Sequence, residues 1–297
     1  MQKAFLFIAV GVPLTLFSQK GKAEIDSLVK EKKYEQAESA LQELLHLSPN
    51  FDVKDQLGKV YGLQRKWDDA IAIYKELTSD YPKNASYAFR YGGVLAKKAQ
   101  SASTFTSLTL VGRIKESFKR AVALDPGSIE AHWALVDLYV SLPGIVGGST
   151  SKALDYAKDL KAISAIDGYL ATGYVYEYDD DPGRARENYF KAMTLLNDLD
   201  SVERNQLNYQ IGKVCGDYGL ELGKGLEHMQ NYIDNYTALD GVPLKWAYLR
   251  MAKLYRKKED KSNAKKWLTK ALAIDPEFTY ALSEKEKIDL MGNPGGL

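Results

Sequence analysis

The sequence predicts an all-α fold, a right-handed solenoid of about seven helix–turn–helix repeats closed by a C-terminal helix. Three observations predict it. In WDDAIAIYKELTSDYPKN, residues 67–84, Ala70, Ile73, Tyr74 and Leu77 share one face at the helical period, while Lys75, Glu76 and Asp80 fall away from it. The same order of small, aromatic, apolar and proline residues returns at intervals of about 34 residues. Small residues such as Gly58 and Ala70 stand where two antiparallel helices cross closely, and an aromatic one turn away fills the space beside them. One such pair cannot hide its apolar face, so neighbours must stack and stability becomes a sum over adjacent units.

The elements follow in chain order. MQKAFLFIAVGVPLTLFSQKGK has one early Lys3, an apolar run from Ala4 to Phe17 and then polar residues, the layout of a secretory signal over residues 1–18 with cleavage near Ser18 or Gln19. That run is too short to span a bilayer. The solenoid is expected over 19–276. Its first unit carries Leu28, Tyr34, Ala37, Leu41, Leu44 and Pro49, and its second Leu57, Gly58, Tyr61, Trp67, Ala70, Tyr74, Leu77 and Pro82. Asp68 and Asp69 suit the positive end of the second unit's second helix, and Pro82 stops it. Tyr91, Gly92 and Leu95 lead, after extra residues, to Phe118, Ala121 and Pro126. Gly173 and Tyr176 lead to Ala185, Tyr189 and Ala192, with Asp181 and Pro182 as cap and first helical residue between them. Cys215 falls at a core position of the sixth first helix; Met251, Ala252, Tyr255, Ala264, Leu268, Ala271 and Pro276 complete the seventh unit. Residues 277–297 read as a capping helix and tail, with Glu284, Lys285, Glu286 and Lys287 toward water.

Composition narrows the function. Lys+Arg 40 against Asp+Glu 39 leaves a net charge of +1, so no global field recruits nucleic acid or an anionic membrane, although a local patch still can. One cysteine excludes an intrachain disulfide framework, and His46, His132 and His228 have no ligand spacing, so no metal and no cofactor is expected. EYDDDPGRARE lacks the ligand alternation and closing Glu of a calcium loop. Nothing pairs Cys215 with a base, and no catalytic residue is proposed.

The period, the crossing residues and the closing proline resemble the tetratricopeptide repeat over nearly all of the chain after residue 18. Two stretches depart from it: KKAQSASTFTSLTLVGRIK in the third unit and SLPGIVGGSTSKAL in the fourth. Together with SFKRAVALDP they look like a group of exported bacterial tetratricopeptide proteins. Both stretches read as lengthened turns, over 97–113 and 142–152, lying side by side on one edge, with Phe105, Leu108 and Leu110 tucked against the neighbouring turn. Gly147, Gly148 and Ser149 fit a compact turn and cap, and the same turn beside Arg113, Lys115 and Lys152 fits an anion.

By the same resemblance, first-helix residues that do not face the core line a groove: Phe89, Arg90, Trp133, Asp137, Tyr174, Glu177, Tyr178, Tyr209, Lys213, Arg250, Lys253 and Arg256. Aromatics interleaved with both charges suit an extended or helical peptide. The two-carboxylate clamp that some relatives use for chaperone tails needs Lys, Asn and Arg at set groove positions, where this chain has mostly aromatics and acids. The expected function is therefore a non-enzymatic scaffold in the periplasm or outside the cell. It binds a peptide or protein in the groove or on the decorated edge, without nucleic acid and without membrane insertion once the signal is removed. The alternative is a small-molecule binder whose two turns close over an anionic or apolar ligand as part of a transport system.

Overall fold

The computed structural model describes residues 14–292 apart from 48, 199–203 and 238–239, and its described residues form helices and no strand. Contacts divide the chain into two compact units, Met1–Asp80 and Tyr81–Leu297. The fold is an all-α helical solenoid. Of the expected signal, residues 1–13 lie outside the described residues, and no described helix is long and apolar enough to cross a membrane.

The first unit holds α1 (Leu14–Lys30), α2 (Tyr34–Leu47), α3 (Phe51–Leu63) and α4 (Trp67–Asp80). Ile25, Ala37, Leu41, Leu57 and Val60 form its core, and Ala70, Tyr74 and Leu77 are buried as their helical spacing requires. A methyl group on Gly58 would lie 2.8 Å from the Tyr74 ring, so α3 and α4 meet where a side chain has been omitted.

The second unit runs through α5 (Ala85–Ser101), α6 (Thr104–Leu124), α7 (Ile129–Ser141), α8 (Thr150–Ile163), α9 (Ala165–Tyr178), α10 (Pro182–Thr194), α11 (Asn205–Tyr218), α12 (Leu222–Asp234), α13 (Leu244–Lys257), α14 (Lys261–Ile274) and α15 (Thr279–Asp289). Each helix packs on its partner, and first helices also pack on one another: α7 on α9, α11 on α13, and α13 on α15. The crossing device repeats. A methyl group on Gly92 would stand 2.7 Å from Phe118, and one on Gly173 would stand 2.5 Å from Tyr189. Asp181 accepts from the Arg184 N–H at 2.9 Å, with Pro182 opening α10. Cys215 is buried against Met193, its Sγ 3.5 Å from the thioether sulfur, and burial pushes its thiol up to about 12.

Turns between paired helices reuse one backbone shape. Lys32, Arg65, Asp180 and Glu259, each two residues before a second helix, have φ of 60°, 59°, 55° and 62°. That is the left-handed region, which side chains enter at a cost.

Three expectations are corrected. The stretch 97–113 is not a loop: α5 continues to Ser101 and α6 begins at Thr104, so the added residues lengthen two helices around a two-residue turn. Ser103 caps α6 by accepting from the Thr106 N–H, and Ser107 donates to the Ala99 carbonyl across the hairpin at 2.6 Å. At its end only Leu110 is buried; Phe105 and Leu108 face solvent instead of a neighbouring turn, because they lie on the side of α6 opposite Ile114 and Phe118. In α15, Glu284 is buried and paired with Arg256, so it turns inward while Lys285 to Lys287 stay exposed.

Candidate functional site

The first helices from α7 to α15 carry a series of polar contacts. It starts at Trp133 in α7, whose indole N–H donates to Asp167 at 2.8 Å. Asp167 is buried and also receives Ser164 Oγ at 2.6 Å and the Arg204 guanidinium, so a charge-assisted set fixes the start of α9. Beside it Trp133, Tyr174 and Tyr178 form an edge-to-face row, with centroids 6.1 and 4.9 Å apart. The Tyr174 hydroxyl donates to Asp137 at 2.6 Å; burial, joined by the Asp137 charge, raises its pKa, so it stays protonated. Tyr178 ends the row and is 55% exposed.

Farther along, Glu177 accepts from the Tyr189 hydroxyl at 2.7 Å and pairs with Lys213 of α11 at 3.3 Å. Lys213 also reaches Asp217 at 3.5 Å, which meets Arg250 at 2.5 Å and Lys253 at 3.1 Å from α13. Burial pushes the Asp217 carboxyl up, but the three cations outweigh it and hold the group below its ordinary value. Burial in turn lowers the Lys253 ammonium, against the pull of Asp217. Arg256 completes the run by pairing with Glu284, which Lys287 also approaches at 3.9 Å. Bridges of this kind hold neighbouring first helices in register.

Most of the expected groove residues belong to this run, but not all line a free surface. Tyr209 is buried against Tyr232, with centroids 5.1 Å apart, because its ring fills the space beside α12. Arg250 is buried because it reaches inward to Asp217. Phe89 packs 5.7 Å from Phe118 beside Ala88, Ala121 and Ala131, and Arg90 is half-buried on the same helix. Two organising acids escaped the sequence reading. Asp167 has a visible signal, the Ser164-x-x-Asp167 spacing of a reciprocal cap. Asp217 has only its four-residue spacing from Lys213.

On the edge, the turn before α8 meets the body of α6. Lys115 Nζ donates to the Gly147 carbonyl at 3.2 Å and lies 5.2 Å from the Tyr139 ring, with Lys152 5.7 Å from the same ring. Ser149 caps α8 by accepting from the Lys152 N–H at 3.3 Å, and α8 begins at Thr150. Gly147 has φ of 93°, and a methyl on Gly148 would fall 1.8 Å from the Leu142 carbonyl oxygen, so both glycines are required by the turn itself. Arg113 is engaged with the Tyr91 hydroxyl and ring. A cleft of about 590 Å³ on α6 is lined by Gly112, Lys115, Glu116, Lys119, Arg120 and Ala123. Among the described residues no cluster of His, Cys, Asp or Glu is placed to hold a metal ion.

Residues 52–84 and 247–278 match family models of the tetratricopeptide repeat. A tetratricopeptide repeat protein from Parabacteroides merdae superposes with a TM-score of 0.52 at 12% identity, over 91% of this chain and 98% of its own. The Cut9–Hcn1 hetero-tetramer of the APC/C matches with a TM-score of 0.52 at 14% identity; 91% of this chain is covered, spanning about half (49%) of that chain. At these identities the likeness is one of fold. No curated protein matches the chain.

Proposed function

Since the chain is a tetratricopeptide repeat protein, we propose that it is a protein-binding scaffold of the cell envelope that takes a peptide segment of its partner on the first-helix face of α7 to α13. The observation that carries this reading is the row Trp133, Tyr174 and Tyr178. Two of its members are pinned by hydrogen bonds to Asp167 and Asp137, while the third stands out in solvent. A rigid aromatic edge beside an ordered run of both charges binds with little loss of side-chain freedom. The apolar run over 4–17 supports export.

Tyr178 is the cleanest probe, because replacing Tyr174 or Trp133 also breaks a structural hydrogen bond. A photo-crosslinking residue at position 178 in the full chain, expressed in cells, should give a discrete adduct identified by mass spectrometry. Adducts equally abundant from an exposed position off this face, such as Lys266, would overturn the reading. Cell fractionation with N-terminal sequencing tests export separately, through cleavage near Ser18 or Gln19.

A further inference from the structure

The α5/α6 hairpin extends past the ordinary length of a repeat, and its end has an unusual chemistry. Residues 99–112 carry no charged side chain, and from Tyr81 to Lys115 the chain has no acid at all. Cations stand at the base of this end: Lys97 and Lys98 on α5, Arg113 and Lys115 on α6. At the apex Phe105 is 79% exposed and Leu108 46% exposed, one turn apart on the outward face of α6.

The apex is otherwise rich in Ser and Thr, and several of these hydroxyls are occupied internally. Ser101 donates to the Lys98 carbonyl at 3.0 Å, Ser107 to Ala99 at 2.6 Å, Thr109 to Thr106 at 2.7 Å, and Ser103 bonds Thr106 at 3.1 Å. A polar group already bonded to its own backbone leaves water at low cost. The adjoining turn follows suit: residues 143–151 are uncharged and Ile145 is 96% exposed.

We propose that the end of the α5/α6 hairpin docks on an anionic lipid surface, with Phe105 and Leu108 entering the interface and the cations at its base meeting the headgroups. From Phe105 to Arg113 the helix rises about 12 Å, so an interfacial depth of roughly 5–10 Å takes in the apolar apex and leaves the guanidinium at headgroup level. The cleft on α6 begins below this end, at Gly112, so the exposed Phe105 and Leu108 lie outside it, on a surface to enter something rather than in a groove to receive a peptide. The run from Tyr81 to Lys115, with six cations and no acid before Glu116, matches a negatively charged lipid layer. This is peripheral docking without a spanning helix, and it stands apart from the reading of the first-helix face.

The test uses the full chain with Gln100→Cys carrying an environment-sensitive fluorophore; the native Cys215 is buried and does not compete. Vesicles of phosphatidylcholine mixed with phosphatidylglycerol should shift the emission to the blue, and phosphatidylcholine alone should do so far less. Removing Lys97 should weaken binding roughly fivefold, and Phe105→Ser with Leu108→Ser should abolish the shift. Helical content and urea midpoint should stay unchanged in these variants. No shift with either vesicle, or a shift that survives Phe105→Ser and Leu108→Ser, overturns the proposal; the latter would assign lipid binding to the N-terminal apolar run. A photo-crosslinking residue at position 100 that captures a discrete protein, without any vesicle response, would overturn the proposal and assign the hairpin end to a protein partner.

Discussion

The first-helix face of α9 to α15 and the end of the α5/α6 hairpin treat charge in opposite ways. On the face, Asp217 sits among Lys213, Arg250 and Lys253, and Glu284 is covered by Arg256, so each acid is met by cations from a neighbouring helix. At the hairpin, cations stand with no acid over residues 81–115. Residues 81–115 carry six cations and no acid, so the net charge of +1 requires an excess of acids over the rest of the chain. Charges enclosed by opposite ones act chiefly on each other, whereas a run of one sign adds up to a field that reaches outward.

The comparison breaks first at Asp217. Asp217→Ala leaves three cations without their shared partner and should cost about 3 kcal/mol or more in urea unfolding. A loss under about 1 kcal/mol would mean that solvent already neutralises the cluster. The same acid gives a pH dependence of known sign. Its folded pKa is depressed below the unfolded value of about 3.9, so its contribution is complete above that value and disappears as pH falls through the folded one. The stability gap between the wild type and Asp217→Asn should be wide at neutral pH and close below about pH 4. A gap independent of pH would show that the carboxylate charge is not what matters.

A smaller effect tests whether the two regions share a framework. Gly92→Ala and Gly173→Ala each force a methyl into an aromatic ring, costing about 1–3 kcal/mol against a gain of about 1 kcal/mol in helix propensity. The net loss should be similar in both, measured by denaturant midpoint. If only Gly92→Ala is tolerated, the long hairpin is the looser pair. Least of all, Phe105→Ser should move stability by under about 0.5 kcal/mol, since the ring touches solvent; a larger loss would place it in a packed contact.

The crossings were legible because sterics leave few alternatives. Sixteen residues separate Gly173 from Tyr189 and twenty-six separate Gly92 from Phe118, and the ten added residues announce an insertion. Its form was not legible. SASTFTS reads as loop by composition, since Ser and Thr compete with helical hydrogen bonds, but here Ser103 caps and Ser107 bridges the two helices, so the same hydroxyls support helix. The residues of the aromatic row were placed on the groove by the resemblance to the tetratricopeptide repeat. Asp217 and the inward turn of Glu284 were missed because an acid between lysines reads equally as a solvated face; only the neighbouring helix, distant in sequence, decides.

The left-handed residues Lys32, Arg65, Asp180 and Glu259 make these turns a reserve for thermal hardening. Each sits at its own corner, so relief at one should not disturb another, and glycine adopts that backbone shape without the clash that a Cβ brings. Replacing all four with glycine should raise the melting temperature in separate increments.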